Sequence, residues 1–372
     1  MSELLVCTHT PVLRSGQAVR TYGIARALAA RGPLTLLYAR FGEEQPDATF
    51  AAIPGIELRE TLPSRGLRRL RAYAGALGRG VPSDFARGIS AELATDAARA
   101  ASELRADRVV ADGPIAAAAL AALARARPVI YNAHNFESGF RHEFESGRST
   151  SVRALRRFER GLLARAAESW MVSEADLRAA HELCPDASLR YVPNVVDVAA
   201  IEPVVAQVQE QRAIFVASFS YEPNRRGLEF LLEQVLPRVW EKLPQAKLAL
   251  VGAGLAQPPS SDPRVETLGF VDDLRTAYAR SSCAVVPLLQ GGGTPLKFVE
   301  ALAYGLPVLA TPRAAAGLDV RDGVDCLIAD GAEAFAAALV RLLGEGDAEL
   351  GARGRRLAAE RYSIETLSRL LA

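Results

Sequence analysis

The residues best suited to chemistry lie in one stretch, residues 290–311, which reads QGGGTPLKFVEALAYGLPVLAT. Gly291, Gly292 and Gly293 let a backbone approach a ligand closely, Thr294 suits a helix N-cap and Pro295 the first helical position. A helix is therefore predicted to begin at Thr294 and end at Gly305, with a buried strand at 308–310. A glycine turn that presents a helix N-terminus is a site for phosphate, because its unpaired N–H groups and the macrodipole both point outward. Lys297 and Glu300 stand three residues apart, on one face of that helix. An ion pair on a solvated surface would contribute roughly 0.2–0.5 kcal/mol. Lys297, however, falls in the first turn, where a cation opposes the dipole, so its presence points to an anion nearby. Glu300 can then accept hydrogen bonds from vicinal hydroxyls such as those of a ribose.

Other signatures fail. No GxxxxGK[ST] segment occurs, which disfavours a P-loop NTPase. Gly252 and Gly254 follow a predicted strand, yet Gln257 occupies the third position of a dinucleotide fingerprint and Pro258-Pro259 opens no helix. Neither a GxSxG elbow nor an HExxH motif is present. Cys7, Cys184, Cys283 and Cys326 form no CxxC pair, which argues against a zinc site and a disulfide framework and fits a reducing, cytoplasmic setting.

The elements that must position these residues alternate from the start. Apolar runs at 4–8, 34–38, 108–111, 128–131, 169–172 and 190–193 read as strands, separated by helical patterns such as 18–30. This is the βαβ rhythm of a parallel sheet. After a polar stretch at 197–212 the rhythm restarts, with strands at 213–217, 248–252, 284–287 and 307–311 and helices at 227–241 and 332–343. With 372 residues, 49% of them hydrophobic, the chain divides into two α/β domains, 1–197 and 198–356, the helix at about 357–372 being free to pack back on the first. A net charge of +1 gives no global basic field, so nucleic acid is not an expected partner. No apolar run reaches the roughly 18 residues of a membrane span, and the N-terminal residues lack a leader's positive region and cleavage site.

On these residues the chain resembles the retaining glycosyltransferases of the GT-B fold, glycosyltransferase family four. Beside residues 290–311, the segments FVASFSYEPNRRGLEFL (215–231), LALVGAG (248–254), LGFVDDL (268–274), YVPNVVD (191–197) and YNAHNFES (131–138) are similar to that family's, in its order. The resemblance implies two Rossmann-like domains facing a cleft, the second holding a nucleotide diphosphate sugar, most readily a UDP- or GDP-sugar, and the first an acceptor. It implies no permanently bound cofactor and no metal. Asp272-Asp273, which could otherwise hold a divalent ion beside a diphosphate, then belongs to a segment near the nucleobase whose Asp caps the next helix. Val271 offers its backbone to the base.

The same resemblance assigns roles residue by residue. Glu300 matches the second Glu of the family's paired-glutamate motif and holds the ribose hydroxyls. The first Glu is replaced by Gly292, so backbone N–H groups of Gly291–Thr294 take over donor recognition. Of the basic pair that meets the departing diphosphate, the first position is Ser218, and the second falls at Arg226, with Arg225 competing; fixed cations there lower the barrier. Gly16 matches the glycine that lets backbone approach the donor phosphate. His134 matches the histidine that contacts the donor sugar, and on sequence alone it already lies beyond a strand's carboxyl end, where open α/β folds bind ligands.

Two basic amphipathic stretches complete the reading. Arg65, Arg68, Arg69 and Arg71 interleave with Leu67, Leu70 and Tyr73, and Arg153, Arg156, Arg157 and Arg160 form the second. Each reads as a solvated helix face, with contact to anionic headgroups or a lipid diphosphate as the functional alternative. The expected protein is a cytoplasmic, metal-independent hexosyltransferase-like enzyme, in one variant peripheral at the inner face of the membrane. It serves glycoconjugate or polysaccharide synthesis, with a glycan, lipid-linked or small-molecule acceptor. An epimerase or hydrolase on the same fold, and an inactive binding protein, are the alternatives.

Overall fold

The apolar runs of the first half form seven short strands: β1 (Glu3–Cys7), β2 (Leu34–Ala39), β3 (Ile56–Thr61), β4 (Arg108–Asp112), β5 (Val129–Asn132), β6 (Glu168–Met171) and β7 (Leu189–Tyr191). In this computed structural model, which describes residues 2–13, 15–63, 65–139, 150–291 and 293–372, they make one all-parallel sheet of order β3-β2-β1-β4-β5-β6-β7. β1 is buried along its whole length, as a strand covered by helices on both faces must be. Leu5 pairs with Leu36 on one side and Val110 on the other. The helices Gly16–Ala29 and Ala91–Glu103 are started by Ser15 and Ser90, whose hydroxyls accept from the Ala18 and Leu93 amides at 3.2 Å.

The second half repeats the arrangement with β8 (Arg212–Val216), β9 (Lys247–Val251), β10 (Val265–Gly269), β11 (Cys283–Val286), β12 (Val308–Ala310) and β13 (Leu327–Ile328). They form a parallel six-stranded sheet of order β10-β9-β8-β11-β12-β13. Phe298, Val299, Leu302 and Ala303 of the helix Leu296–Tyr304 are buried in its core. Each sheet reverses its winding once, between β1 and β4 in the first and between β8 and β11 in the second. Such switch points open a crevice beyond the strands' carboxyl ends.

The chain forms two compact units, Met1–Asn194 with Leu367–Ala372, and Val195–Thr366. The division precedes the sequence-based boundary at 197 by a few residues. It returns to the first unit only at Leu367, inside the last helix, Ile364–Leu371, and not at about 357. The polar stretch after Asp197 is not a free linker. Val196 and Val198 enter the second core, Val196 bridges to Ser363, and Arg355 donates to the carbonyls of Ile201 (2.9 Å) and Ala303. The helix expected at 227–241 begins earlier, at Glu222, and is interrupted by a π turn at Leu231–Val235. Pro237, at the start of the next helical piece, Leu236–Lys242, lacks the N–H that would continue an α-helical ladder. The edge strands β3, β10 and β13 are not visible in the hydrophobic pattern, because β3 and β10 mix polar with apolar residues, β13 is two residues long, and all three are only partly buried.

Candidate functional site

In the second unit the crevice beyond β8 and β11 is lined by two loops and two helix starts. After β11 the chain runs through Gly291 (φ +119°) and Gly293 (φ +70°), left-handed conformations that favour glycine, and then enters the helix Leu296–Tyr304. Gly317 supports the turn from behind: a Cβ there would lie 2.6 Å from the Gly293 carbonyl oxygen. The helix starts one residue later than predicted, with Pro295 and not Thr294 at the N-cap, and it ends at Gly305 (φ +79°). Thr294 is buried beside Gly317, its methyl 2.9 Å from a Cβ at that position. Gly292 lies outside the described residues.

Lys297 occupies the first turn. Its ammonium donates to Asn224 Oδ1 and stands 5.2 Å from the centre of the Phe215 ring. Burial pushes its pKa down to about 7. Asn224 is itself buried and held by a hydrogen bond from its Nδ2 to the Ser218 carbonyl at 2.7 Å, so Lys297 is tied to the loop that follows β8. A half-buried ammonium whose partner is a neutral amide has its charge unmatched, and a bound anion would match it. Ser218 contributes its carbonyl here, while its hydroxyl meets that of Ser220 at 3.0 Å. That loop can lie close to β9 because of Gly252, where a Cβ would stand only 1.9 Å from the Ala217 carbonyl oxygen.

Glu300, one turn further on, receives a hydrogen bond from the Tyr278 hydroxyl, and burial pushes its pKa up to about 7. Tyr278 is buried, and its ring stacks on Tyr304 at 4.3 Å, so the phenol is fixed where it meets the carboxylate. Arg225 and Arg226 take another course. Both lie near the start of the helix Glu222–Phe230, both are more than half exposed, and both pair with Glu222, Arg226 Nε at 2.9 Å. The structure joins Lys297 to Asn224 and leaves these two arginines on their own helix. Val271 packs, partly buried, against the core just ahead of Asp273. Asp273 caps the helix Leu274–Ala279 by accepting from the Arg275 amide at 2.9 Å. No metal-binding group of acidic, histidine and cysteine residues occurs among the described residues, and Cys7, Cys184, Cys283 and Cys326 are buried free thiols.

In the first unit the crevice between β1 and β4 holds a buried polar network. Asp112, the last residue of β4, accepts from Thr21 Oγ1 (2.5 Å) and Asn132 Nδ2 (2.6 Å) and lies 3.0 Å from His134 Nε2. Burial would raise its pKa, but the His134 imidazole, its hydrogen bond, His9 and Thr21 hold the carboxyl well below the usual range. Arg20, fully buried, reaches Asn132 Oδ1 at 2.6 Å, the Val192 carbonyl at 2.9 Å and Asn194 Oδ1 at 3.1 Å. The imidazole of His134 packs on Gly113 (φ +85°), where a Cβ would come within 2.8 Å of its Cε1. Gly16 is the first residue of the helix Gly16–Ala29, exposed and next to the Ser15 cap. Asp112, Arg20, Thr21, Asn224 and Tyr278 escape a reading by motif; the only sequence signal among them is a charge, Asp112, directly after the apolar run 109–111.

Two family models match, the Glycosyl transferase 4-like domain over residues 15–195 and Glycosyl transferases group 1 over residues 210–345. No curated protein matches the chain in sequence. Among solved structures, sucrose-phosphate synthase from Thermosynechococcus elongatus is 16% identical with a TM-score of 0.75, over 100% of this chain and 97% of that one. Anabaena HepE in complex with UDP and glucose is 16% identical with a TM-score of 0.71, over 99% of this chain and 98% of that one. A mutant of S. aureus TarM, in complex with fondaparinux, alpha-GlcNAc-glycerol and UDP, is 10% identical with a TM-score of 0.73, over 100% of this chain and 99% of that one. At such identities the likeness is one of fold. With a 4-like domain on the first sheet and a group 1 domain on the second, the chain belongs to the group 1 glycosyltransferases of the GT-B fold.

Proposed function

We propose that the protein transfers a sugar, with retention, from a nucleotide diphosphate sugar to an acceptor hydroxyl. The observation that carries this reading is the pairing, on one helix, of a half-buried ammonium at the glycine turn (Lys297) with a carboxylate that meets a buried phenol one turn later (Glu300). The first matches a diphosphate and the second a ribose diol. UDP, bound in the solved HepE and TarM complexes, is the leading donor nucleotide, with GDP second.

The diphosphate leaves against Lys297 and the N–H groups around Gly291, Gly292, Gly293 and Thr294, with Arg226 or Arg225 joining once released from Glu222. Fixed charges and dipoles of this kind stabilise the developing anion without reorganisation. The leaving oxygen itself takes the acceptor proton, so no protein nucleophile is required and no metal is part of the scheme. Val271 offers backbone to the base, Ser218 lines the phosphate loop, and Gly16 and His134 are the contributions of the first unit, His134 on the sugar. The acceptor is a glycan, a lipid-linked sugar or a small molecule, and the setting is cytoplasmic.

Calorimetry and thermal shift with UDP-, GDP-, ADP- and dTDP-sugars, on the native protein and Glu300→Ala, with and without EDTA, test the donor site. Stabilisation by one nucleotide sugar, lost in Glu300→Ala and indifferent to EDTA, is the expected result; no binding by any of them would refute the assignment. The anomeric configuration of the first-formed product, read by NMR, tests retention.

A further inference from the structure

The two arginine-rich helices differ in what they do with their apolar residues. The helix Thr150–Leu163 buries Leu155, Phe158, Leu162 and Leu163 in the first core, and its Arg153, Arg156, Arg157 and Arg160 are on the exposed face. That is an ordinary solvated helix. The helix Gly66–Gly78 is reversed. Its one buried residue is Ala76, flanked by the half-buried Ala72 and Tyr73, so this side faces the protein. Leu67, Leu70, Ala74 and Leu77 recur at i, i+3, i+7 and i+10 along the opposite side. The three leucines are 74%, 60% and 41% exposed. Leu62, just before the helix, is 61% exposed.

This outward ridge is set in positive charge. Arg65, Arg68, Arg69, Arg71 and Arg79 fall within residues 61–83, a segment with no Asp or Glu, and Arg69 lies over the ring of the exposed Phe41 at 5.8 Å. A ridge of leucines presented to solvent is costly unless something covers it, and single-sign charge around it selects an anionic cover. A second copy of the chain would bring like charges together. An acidic membrane surface satisfies both halves: leucines enter the acyl boundary while arginine stems lie along it and their guanidinium groups stay among the headgroups.

We infer that the helix Gly66–Gly78 docks the protein on an anionic lipid bilayer, lying in the interface with Leu67, Leu70 and Leu77 inserted and Arg68 and Arg71 on the phosphates. No helix among the described residues is long and apolar enough to cross a membrane, so the contact is from one side. The inference stands independently of the donor site, which lies in the other unit.

Flotation of the full chain with vesicles tests it. The vesicles are phosphatidylcholine alone, or phosphatidylcholine mixed with phosphatidylglycerol, and the proteins are the native form, Leu67→Ser/Leu70→Ser and Arg68→Gln/Arg71→Gln. All four substitutions are at exposed positions, so circular dichroism and the thermal shift with nucleotide sugar should match the native protein. The native protein should float with the anionic vesicles and not with the neutral ones. Removing two arginines should weaken this roughly thirtyfold, and removing the two leucines should abolish binding that survives added salt. Absence of flotation with anionic vesicles, or flotation that neither variant changes, would overturn the inference. So would a dimer that depends on the two leucines in a protein that does not float.

Discussion

The two groups assigned to the proposed donor site both titrate near neutral pH, in opposite directions of usefulness. Lys297, pushed down to about 7, is charged below that pH, so its hold on a diphosphate weakens as the pH rises through it. Glu300, pushed up to about 7, is a full acceptor only above that pH, so its hold on ribose hydroxyls weakens as the pH falls. A nucleotide sugar keeps its diphosphate charge across this range. Its affinity, followed by calorimetry from about pH 5 to about pH 9, should therefore peak near neutrality. Lys297→Met should remove the alkaline limb and lower peak affinity by about tenfold to a hundredfold, the range for a hydrogen bond to a charged group. Glu300→Gln should remove the acid limb. Tyr278→Phe deletes the hydroxyl that fixes Glu300 and should weaken donor binding by about fivefold, from a loss of about 1 kcal/mol, without changing the dependence on Lys297; equal affinity for native protein and Tyr278→Phe would exclude Tyr278 from this role.

At the scale of elements, the site depends on loops that pass closer than side chains allow. The loop after β8 carries Ser218 and leads to Asn224, and it is seated against the end of β9 at Gly252. Gly252→Ala should push this loop away from the strand. The expected cost is at least about 3 kcal/mol, because backbone and not a flexible side chain obstructs the methyl and φ is +129°. Urea unfolding of the native and variant proteins measures it, and a loss below about 1 kcal/mol would show that the loop adjusts freely. The same element explains why Arg225 and Arg226 do not reach Lys297. Because the helix begins at Glu222, both arginines fall on the helix itself, three and four residues after the acid that holds them.

At the scale of the whole molecule, the last residues return to the first unit. Leu367 and Leu371 are buried there, and the Leu371 carbonyl receives guanidinium groups from Arg31 and Arg108. Cations at a helix carboxyl end satisfy both its open carbonyls and its dipole. Truncation after Thr366 should cost the first unit about 3–6 kcal/mol, from two leucine side chains at about 1.5–3 kcal/mol each. Calorimetric unfolding should show one transition lowered and the other retained. Two unchanged transitions would mean that the tail contributes nothing.

Periodicity alone was sufficient for the alternation of strands and helices and for two Rossmann-like units, since strands buried on both faces must be nearly continuously apolar, as the runs 4–7 and 36–39 are. It missed the edge strands β3, β10 and β13, which are only partly buried and lose that signature. The glycine turn and the helix it opens were legible because left-handed backbone and a helix end favour glycine there, as Gly291, Gly293 and Gly305 show, and Lys297 and Glu300 share one face of that helix by their spacing. Their partners were not. Asn224 meets Lys297 across 73 positions of sequence, and Thr21 meets Asp112 across 91. Such pairings arise only when parallel strands bring distant loops to one end of a sheet. Nor does residue order tell which side of an amphipathic helix faces the protein. The patterns at 65–73 and 153–160 read alike, and packing alone buries the apolar face of the second while leaving that of the first to the solvent.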